Sequence, residues 1–461
     1  MDKKIINRFP YNYNFIKTIL NNRNVKIDNY LINCYLESSS IEPICAESRS
    51  IITFELMKFM KAKKRWSDTE ISCSLRDFNR FPVIQMADHG EVMLHPNMIM
   101  NNYLSNYAAN KIGLKFIFSQ QCTRVKAITN KSKLLGSAII PRSNGYLKIY
   151  SQGFDKLTKL SIACMNPVVT DFKFFTLERE IIKNITIPEI IKEFDTKRYF
   201  SATGFLEEIN NHIWKNLNFR NKCQLVLFDE DFSCQCVATM LSGKTLLSEF
   251  FKNDSACMHL IKSREERKRS QPYSQLDIST DYFWLRENNS LKAMRLCWCD
   301  SGKLILVPVN SKGDQIPFSP EILSELLFRK VLYPDTTLSY ITLSILPGIA
   351  CLGGGSQSEY FPEIASLFSD AIDKFGINKR IKQKLHMIIK YSKLFYYGLL
   401  ELNKEQRTLI DNLDKSSDLD MLIESLESLK LHESVGELRA FDYLEETHKL
   451  ICEDNKRAMI C

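Results

Sequence analysis

The segment from residue 82 to residue 118 constrains the fold more than any other part of the chain. An apolar stretch at Pro82–Ala87 predicts a strand, Asn97–Asn110 carries apolar residues at helical spacing, and Leu114–Phe118 predicts a second strand. Two strands joined by a helix are typical of a βαβ unit, whose strands pair in parallel. The chain is therefore predicted to be an α/β protein with a Rossmann-like, mostly parallel sheet at its core.

Other apolar patterns add further elements to this core. Helices are predicted at 47–64, 205–217 and 232–251, and Ser319 is a good N-cap before Pro320. The apolar run 338–352 is too short to span a membrane and predicts a buried core segment. Strands are predicted at 137–140, 146–150 and 224–228, and a hairpin at 293–309.

These patterns divide the chain into three regions. Residues 1–75 are predicted to be a helical N-terminal segment, and residues 76–362 an α/β core that carries the functional site. Residues 363–461 are predicted to be helical and to end in an acidic hairpin or short coiled coil, because leucines recur there among charges. Those C-terminal helices are the expected route to any homo-oligomer.

The charge of the chain is unevenly distributed. The formal net charge is +8, but residues 405–461 carry 14 acidic and 7 basic residues, and residues 1–404 carry 40 acidic and 55 basic. A basic body suits an anionic ligand or partner, although solvated surface lysines explain the same excess. The basic cluster 262–269 lacks aromatic residues for base stacking, so nucleic acid is not the expected partner.

The same sequence predicts a soluble, cytoplasmic protein. No stretch is long and apolar enough for a membrane span, and the N-terminus does not resemble a secretory signal. The 14 cysteines are scattered among apolar neighbours rather than arranged as a disulfide framework. This pattern favours a reducing compartment.

The loop between the first two predicted elements is the first candidate for chemistry. It contains Asp88, His89, Glu91 and His95, and it would lie at the carboxyl end of a strand, where open α/β sheets bind ligands. A carboxylate beside an imidazole makes a general base. Alternatively, His89, His95 and either Asp88 or Glu91 hold a divalent metal, or the loop only caps the following helix. No metal motif with established spacing is present.

A glycine-rich loop is the second candidate. Three glycines follow the apolar run 338–352 and precede a helix, so a ligand can approach the backbone closely. The alternative is a turn that needs positive φ. Arg142, in a turn after the strand 137–140, is a third contributor if it shares the same sheet edge, and otherwise a solvated turn residue. The predicted substrate-binding residues are Arg142, Gly353, Gly354, Gly355, Ser356, Gln357 and Glu359.

The other familiar motifs of catalytic and metal sites are either rejected or absent. The string 238–245 resembles a relaxed phosphate-binding P-loop, but helical periodicity runs through it. The pairs Cys234/Cys236 and Cys297/Cys299 lack the usual zinc-ligand spacing. No nucleophile elbow and no dinucleotide fingerprint are present.

We favour an intracellular enzyme that acts on a small polar or anionic metabolite by acid/base or metal-assisted chemistry, namely hydrolysis, ligation or group transfer. In this hypothesis Asp88, His89, Glu91 and His95 are catalytic, and the cofactor is either a divalent metal or unknown. The alternative is a non-catalytic binding or scaffold protein with a basic body and an acidic helical association tail. The substrate is not named by the sequence.

Overall fold

The computed structural model describes residues 21–378, together with Lys384 and Lys430. Within 21–378 the gaps are 89, 125–136, 143–144, 177–178, 183–186, 218–220, 272–273, 289, 310–314 and 354–356, and the side chains of 87, 88, 96 and 97 are also outside the description. The predicted acidic hairpin and nearly all of the C-terminal helical region therefore lie outside the described residues. Among the described residues, no helix is long and apolar enough to cross a membrane.

The elements are numbered here in chain order. The helices are α1 (Ile27–Ser38), α2 (Ala46–Lys63), α3 (Asp68–Arg80), α4 (Pro96–Lys111), α5 (Phe154–Leu157), α6 (Glu189–Lys192), α7 (Ala202–Asn216), α8 (Glu230–Ser242), α9 (Leu246–Phe251), α10 (Asp254–Ser270), α11 (Pro320–Phe328), α12 (Thr336–Tyr340) and α13 (Gln357–Lys374). The strands are β1 (Val83–Asp88), β2 (Phe116–Gln121), β3 (Ile139–Arg142), β4 (Gly145–Tyr150), β5 (Val168–Phe175), β6 (Arg198–Tyr199), β7 (Gln224–Phe228), β8 (Phe283–Glu287), β9 (Ser290–Trp298), β10 (Leu304–Pro308), β11 (Ile316–Pro317), β12 (Leu332–Pro334) and β13 (Ala350–Leu352).

A four-stranded parallel sheet is formed by the described strands in the order β13-β1-β2-β7. The predicted strand–helix–strand unit is β1-α4-β2, and each of its elements lies within a few residues of its predicted position. Along β2, Phe118 stacks edge-on against Phe78 of α3, and Gln120 donates to Ser233 of α8 at 2.6 Å. Because alternate side chains share a face of a strand, α3 and α8 lie on the same face of this sheet.

Two antiparallel sheets account for the remaining described strands. Their orders are β3-β4-β5-β6 and β11-β10-β9-β8-β12, and the predicted hairpin is β9-β10. The mixed α/β class is thus confirmed, but most strands are antiparallel rather than parallel. The physical reason is that the consecutive pairs β3-β4 and β9-β10 are joined by short turns, whereas parallel pairing needs a long crossover.

The predicted helix 232–251 is two helices in the structure. The first, α8, ends at Ser242, and α9 starts after Thr245, whose hydroxyl oxygen accepts from the Ser248 amide at 3.2 Å. The same hydroxyl donates to the Met240 carbonyl at 2.7 Å, so it closes one helix and opens the next. The turn at Gly243 therefore joins helix to helix, which agrees with the rejection of a P-loop on this string.

The apolar run 338–352 is buried, as predicted. It contains the end of α12, a π-helical turn at Ile341–Ile345 and β13. The following helix begins at Gln357, earlier than predicted, and Pro362 lies inside it. Pro362 is the sixth residue of this helix and has no backbone N–H, so the helix continues past it with one intrahelical hydrogen bond fewer.

Candidate functional site

Four parallel strands end at one edge of the sheet, and polar segments follow each of them. We call this edge the carboxyl edge: its described residues are 90–95 after β1, 122–124 after β2, 229–231 after β7, and Gly353 and Gln357 after β13. Strands β1 and β13 are neighbours in register, with Val83 beside Ala350. The two loops that were predicted as separate candidates therefore start from adjacent strands. Ligands bind at this edge in open α/β sheets.

Gly90 brings the first loop against the segment that follows β2. Its φ is +68°, and a Cβ atom there would lie 2.9 Å from the carbonyl oxygen of Cys122 and 3.0 Å from the Cδ1 atom of Ile162. Any other residue would be strained by its backbone conformation and by this contact. The close approach makes the loops after β1 and β2 a single packed unit.

A buried carboxylate–imidazole pair lies in the same loop. The Oε2 atom of Glu91 is 3.3 Å from the Nδ1 atom of His95, and each residue is 3% exposed. The side chain of Asn210 on α7 holds the loop, since it accepts from the Met93 amide at 2.6 Å and donates to the Glu91 carbonyl at 2.9 Å. A carboxylate at this distance orients the imidazole and selects the tautomer that carries its proton on Nδ1.

The structure describes only part of the predicted pair of Asp88 and His89. Asp88 is the last residue of β1 and pairs with Gln121, but its side chain and the whole of His89 lie outside the described residues. Among the residues that are described, no group of three or more histidine, cysteine, aspartate or glutamate side chains is arranged to hold a metal. The metal hypothesis for His89, His95 and Asp88 includes an undescribed residue and stays a prediction.

The segment after β2 is held by a buried glutamate. Glu230, which is 1% exposed, accepts from the amide and the hydroxyl of Thr123, both at 2.9 Å, and forms an ion pair with Arg124. The guanidinium of Arg124 also donates to the Pro334 carbonyl. Cys122 donates to the same carboxylate at 3.4 Å. One carboxylate thus fixes three consecutive residues at the carboxyl edge.

Burial and the Glu230 carboxylate set the protonation states of Cys122 and Arg124. Burial and the neighbouring Glu230 carboxylate raise the pKa of the Cys122 thiol to about 12, so the group is a neutral thiol rather than a nucleophilic thiolate at physiological pH. Burial lowers the pKa of Arg124, but the Glu230 carboxylate outweighs it and the net shift is upward. Arg124 is therefore a permanent cation held in one position.

A carboxyl group that titrates near neutrality follows β7. Burial, and next the adjacent Asp231 carboxylate, raise the pKa of Asp229 to about 7. The Oδ1 atom of Asp229 accepts from the Asp231 amide at 3.0 Å, which places the side chain at the start of α8. Carboxyl groups with such pKa values are typical of acid/base sites.

Gly353, the first residue after β13, packs against a polar side chain. A Cβ atom on Gly353 would lie 1.8 Å from the Oε1 atom of Gln357, so the glycine leaves space for that amide. Gln357 donates through Nε2 to the Cys351 carbonyl and accepts at Oε1 from the Tyr340 hydroxyl at 2.6 Å. The Tyr340 and Tyr360 oxygens are 3.1 Å apart. Because the single proton of Tyr340 goes to Gln357, Tyr360 must be the donor to Tyr340.

The remaining predicted binding residues occupy different places. Arg142 ends β3 and faces Gly145 across an antiparallel hairpin, so it belongs to another sheet and the argument for a shared edge fails. Glu359 lies partly exposed in the first turn of α13. Gly354, Gly355 and Ser356 lie outside the described residues. A binding role for each of these residues stays a prediction.

A cleft of about 290 Å³ opens beside the carboxyl edge. Its polar wall includes Cys122, Arg124 and Ser161, and its apolar wall is formed by Trp284 and Leu291 of the β8-β9 hairpin. The hydroxyl of Ser161 donates to the backbone carbonyls of Thr123 and Arg124, so Ser161 is held against the segment that follows β2. The cleft is at the small end of the sizes of ligand pockets.

The sequence reasoning missed the residues that line this cleft and those that hold them. Arg124 follows the predicted strand 114–118, and Asp229 and Glu230 follow the predicted strand 224–228. The rule applied to the first loop, that residues after a parallel strand lie at the ligand edge, would have found them. The contribution of Trp284 had no comparable signal, because it depends on how the β8-β9 hairpin packs.

The chain matches no known family model, and no curated protein matches it.

Proposed function

We propose that the chain is an enzyme that acts on a small polar or anionic metabolite in the cleft at the carboxyl edge, by acid/base or metal-assisted chemistry. Hydrolysis, ligation and group transfer are the reaction classes included. The observation that carries the proposal is the convergence of the segments after β1, β2, β7 and β13 at one edge that also borders a cleft. In this proposal the parallel sheet is a Rossmann-like core, and the ligand lies beyond the ends of its strands.

The residues divide into positioning and chemical roles. Glu230 positions Arg124, which binds or orients the substrate. Acid/base work falls to Asp88 and His89, as the sequence predicts, with the Glu91–His95 pair and Asp229 as further groups at the same edge. A cytoplasmic location, and association through the C-terminal helices, belong to the same proposal.

The test is an untargeted measurement of turnover. The purified full chain is incubated with a small-metabolite extract, with and without added divalent metals, and the mixture is analysed by mass spectrometry. We expect one metabolite to be consumed by the wild type and left unchanged by His89→Ala and by His95→Gln. His212→Gln is the matched control. His212 is a partly exposed histidine of α7 that contacts Glu193, at 3.0 Å from its Nδ1 atom, and the Phe194 ring, neither of which belongs to the carboxyl edge.

The outcomes separate the alternatives. Consumption that needs added metal and is lost in the His89→Ala variant supports metal-assisted chemistry, whereas consumption without metal supports acid/base chemistry. If the wild type consumes no metabolite under either condition, the enzyme hypothesis is wrong. If both site variants remain fully active, the assignment of the chemistry to His89 and His95 is wrong. Circular dichroism of each variant shows whether a loss of activity is a loss of folding.

A further inference from the structure

Three charged residues line the cleft, and only one of them has a counterion that the structure describes. Arg124 lines the cleft, but Glu230 behind it neutralises its charge. Two other charged residues line the cleft, Lys159 and Asp277, and within the described part of the chain no salt bridge joins them to each other or to a third residue. Among the described residues, the Oδ1 atom of Asp277 accepts one local backbone hydrogen bond, from the Ser279 amide at 2.8 Å. Both Lys159 and Asp277 are exposed to solvent, so the cleft presents one cation and one anion that no described side chain neutralises.

The two walls of the cleft differ in polarity. Trp284 and Leu291 lie on neighbouring antiparallel strands, where Trp284 pairs with Ala293 and Arg286 pairs with Leu291. Both residues are only partly buried by the protein, so they offer apolar surface to the cleft. An indole ring and an aliphatic side chain favour an apolar or aromatic group on the ligand. The hydroxyl groups of Ser161 and Thr336 lie on the polar side.

We propose that the cleft binds a small zwitterion of the amino-acid type: its carboxylate interacts with Lys159 and Arg124, its ammonium with Asp277, and its apolar side chain packs on Trp284 and Leu291. A purely anionic ligand would bring its charge near Asp277 and give that carboxylate no cationic partner, and a purely cationic ligand would likewise give Lys159 no anionic partner. A cleft of about 290 Å³ accommodates a molecule of this size. The inference rests on the proposed function, because it names the substrate class of the same site.

Isothermal titration calorimetry with three probes tests the charge requirement. The probes are L-phenylalanine, 3-phenylpropionate, which lacks the ammonium group, and 2-phenylethylamine, which lacks the carboxylate. We expect L-phenylalanine to bind about tenfold more tightly than either analogue, since one charged hydrogen bond contributes that much. Asp277→Asn should abolish the advantage over 3-phenylpropionate, and Lys159→Met should abolish the advantage over 2-phenylethylamine. Asp155→Asn and Lys156→Met, exposed substitutions in α5 outside the cleft lining, are the matched controls.

Each outcome decides the matter. Selective binding that both cleft variants remove supports the inference, and Trp284→Ala should then weaken binding of L-phenylalanine more than binding of glycine. Equal or tighter binding of 3-phenylpropionate, selectivity that survives both variants, or no binding of any probe at millimolar concentration overturns it. Turnover of a metabolite without an ammonium group would overturn this inference and leave the proposed function standing. Binding of a zwitterion without any turnover would support this inference and overturn the proposed function.

Discussion

The ion pair between Arg124 and Glu230 allows a quantitative prediction for the candidate site. Glu230 is 1% exposed and the side chain of Arg124 is 14% exposed, so replacing either residue leaves the other charge largely buried without its counterion. Breaking a buried pair in this way costs about 3–5 kcal/mol. For Arg124→Met we expect a loss of about 3 kcal/mol, at the low end of that range, because some water reaches Arg124 and because Thr123 still donates two hydrogen bonds to Glu230.

The double substitution separates the pair from its surroundings. In Arg124→Met/Glu230→Gln no buried charge remains, and the glutamine oxygen can still accept from the Thr123 amide. We therefore expect the double variant to lose clearly less stability than the sum of the two single variants, with a coupling free energy of about 2 kcal/mol. Urea unfolding followed by circular dichroism measures each free energy, provided that the slope of the transition is unchanged.

An exposed pair in the same chain provides the control. Arg269 and Glu265 lie one helical turn apart on α10 with a separation of 3.0 Å, and the side chain of Arg269 is 73% exposed. Removing this pair should cost about 0.5 kcal/mol or less, because water replaces the lost contact. Additive losses at Arg124 and Glu230, or a loss for Arg124→Met no larger than that of the control, would refute the reasoning.

Three further predictions concern the surroundings of the site. Gly90→Ala should destabilise the chain by more than the ~1–2 kcal/mol that positive φ alone costs, because its Cβ atom would also contact Cys122. Gly113→Ala is the control in the same urea assay: its φ is +77° but the space around its Cβ position is open, so it should show only the cost of positive φ. Hydrogen bonds from Ser301 and from the backbone of Lys303 lower the pKa of the Cys299 thiol, whereas the pKa of Cys122 is raised. Iodoacetamide should therefore alkylate Cys299 faster than Cys122, and peptide mass mapping that gives the opposite order would contradict this. The folded state raises the pKa of Asp229 from its ordinary 3.8 to about 7, so its contribution to stability should fall as pH rises between those values. The wild type should therefore lose stability relative to Asp229→Asn between pH 4 and pH 7, and parallel curves would count against this reasoning.

The sequence predicted best what is local. The β1-α4-β2 unit was found because its hydrophobic periodicity changes within a short stretch and its strands are neighbours along the chain. The helix 232–251 was predicted as continuous because its apolar pattern crosses residues 243–245, where the capping hydroxyl of Thr245 overrides the pattern. Hydrophobic spacing alone contains no signal for such a break.

Long-range pairing could not be predicted in the same way. Strand β13 lies beside β1 although more than half of the chain separates them, and its three residues are too few to show a strand pattern. That pairing is what brings Gly353 and Gln357 to the edge where Gly90 and Glu91 lie. The sequence thus named both loops from their residue types, while their common location depended on tertiary packing.

One of the two inner strands of the parallel sheet, β2, indicates why this edge is specialised. Central parallel strands are usually apolar throughout, because both of their faces are covered. Strand β2 instead ends in Ser119, Gln120 and Gln121, all buried, and the Ser119 hydroxyl, the Gln120 Oε1 atom and the Gln121 Nε2 atom have no hydrogen-bond partner among the described residues.

Polar atoms of this kind destabilise a fold by about 1–3 kcal/mol each when they stay unsatisfied. A core shaped by stability alone would place apolar residues there, as β2 itself does at Phe116, Ile117 and Phe118. The change from apolar to polar occurs along one strand, at its carboxyl end, next to Cys122 and Arg124. Local departures from packing rules of this type are expected where binding or catalysis, rather than folding, determines the residues, and this is an independent reason to direct the first substitutions to this edge.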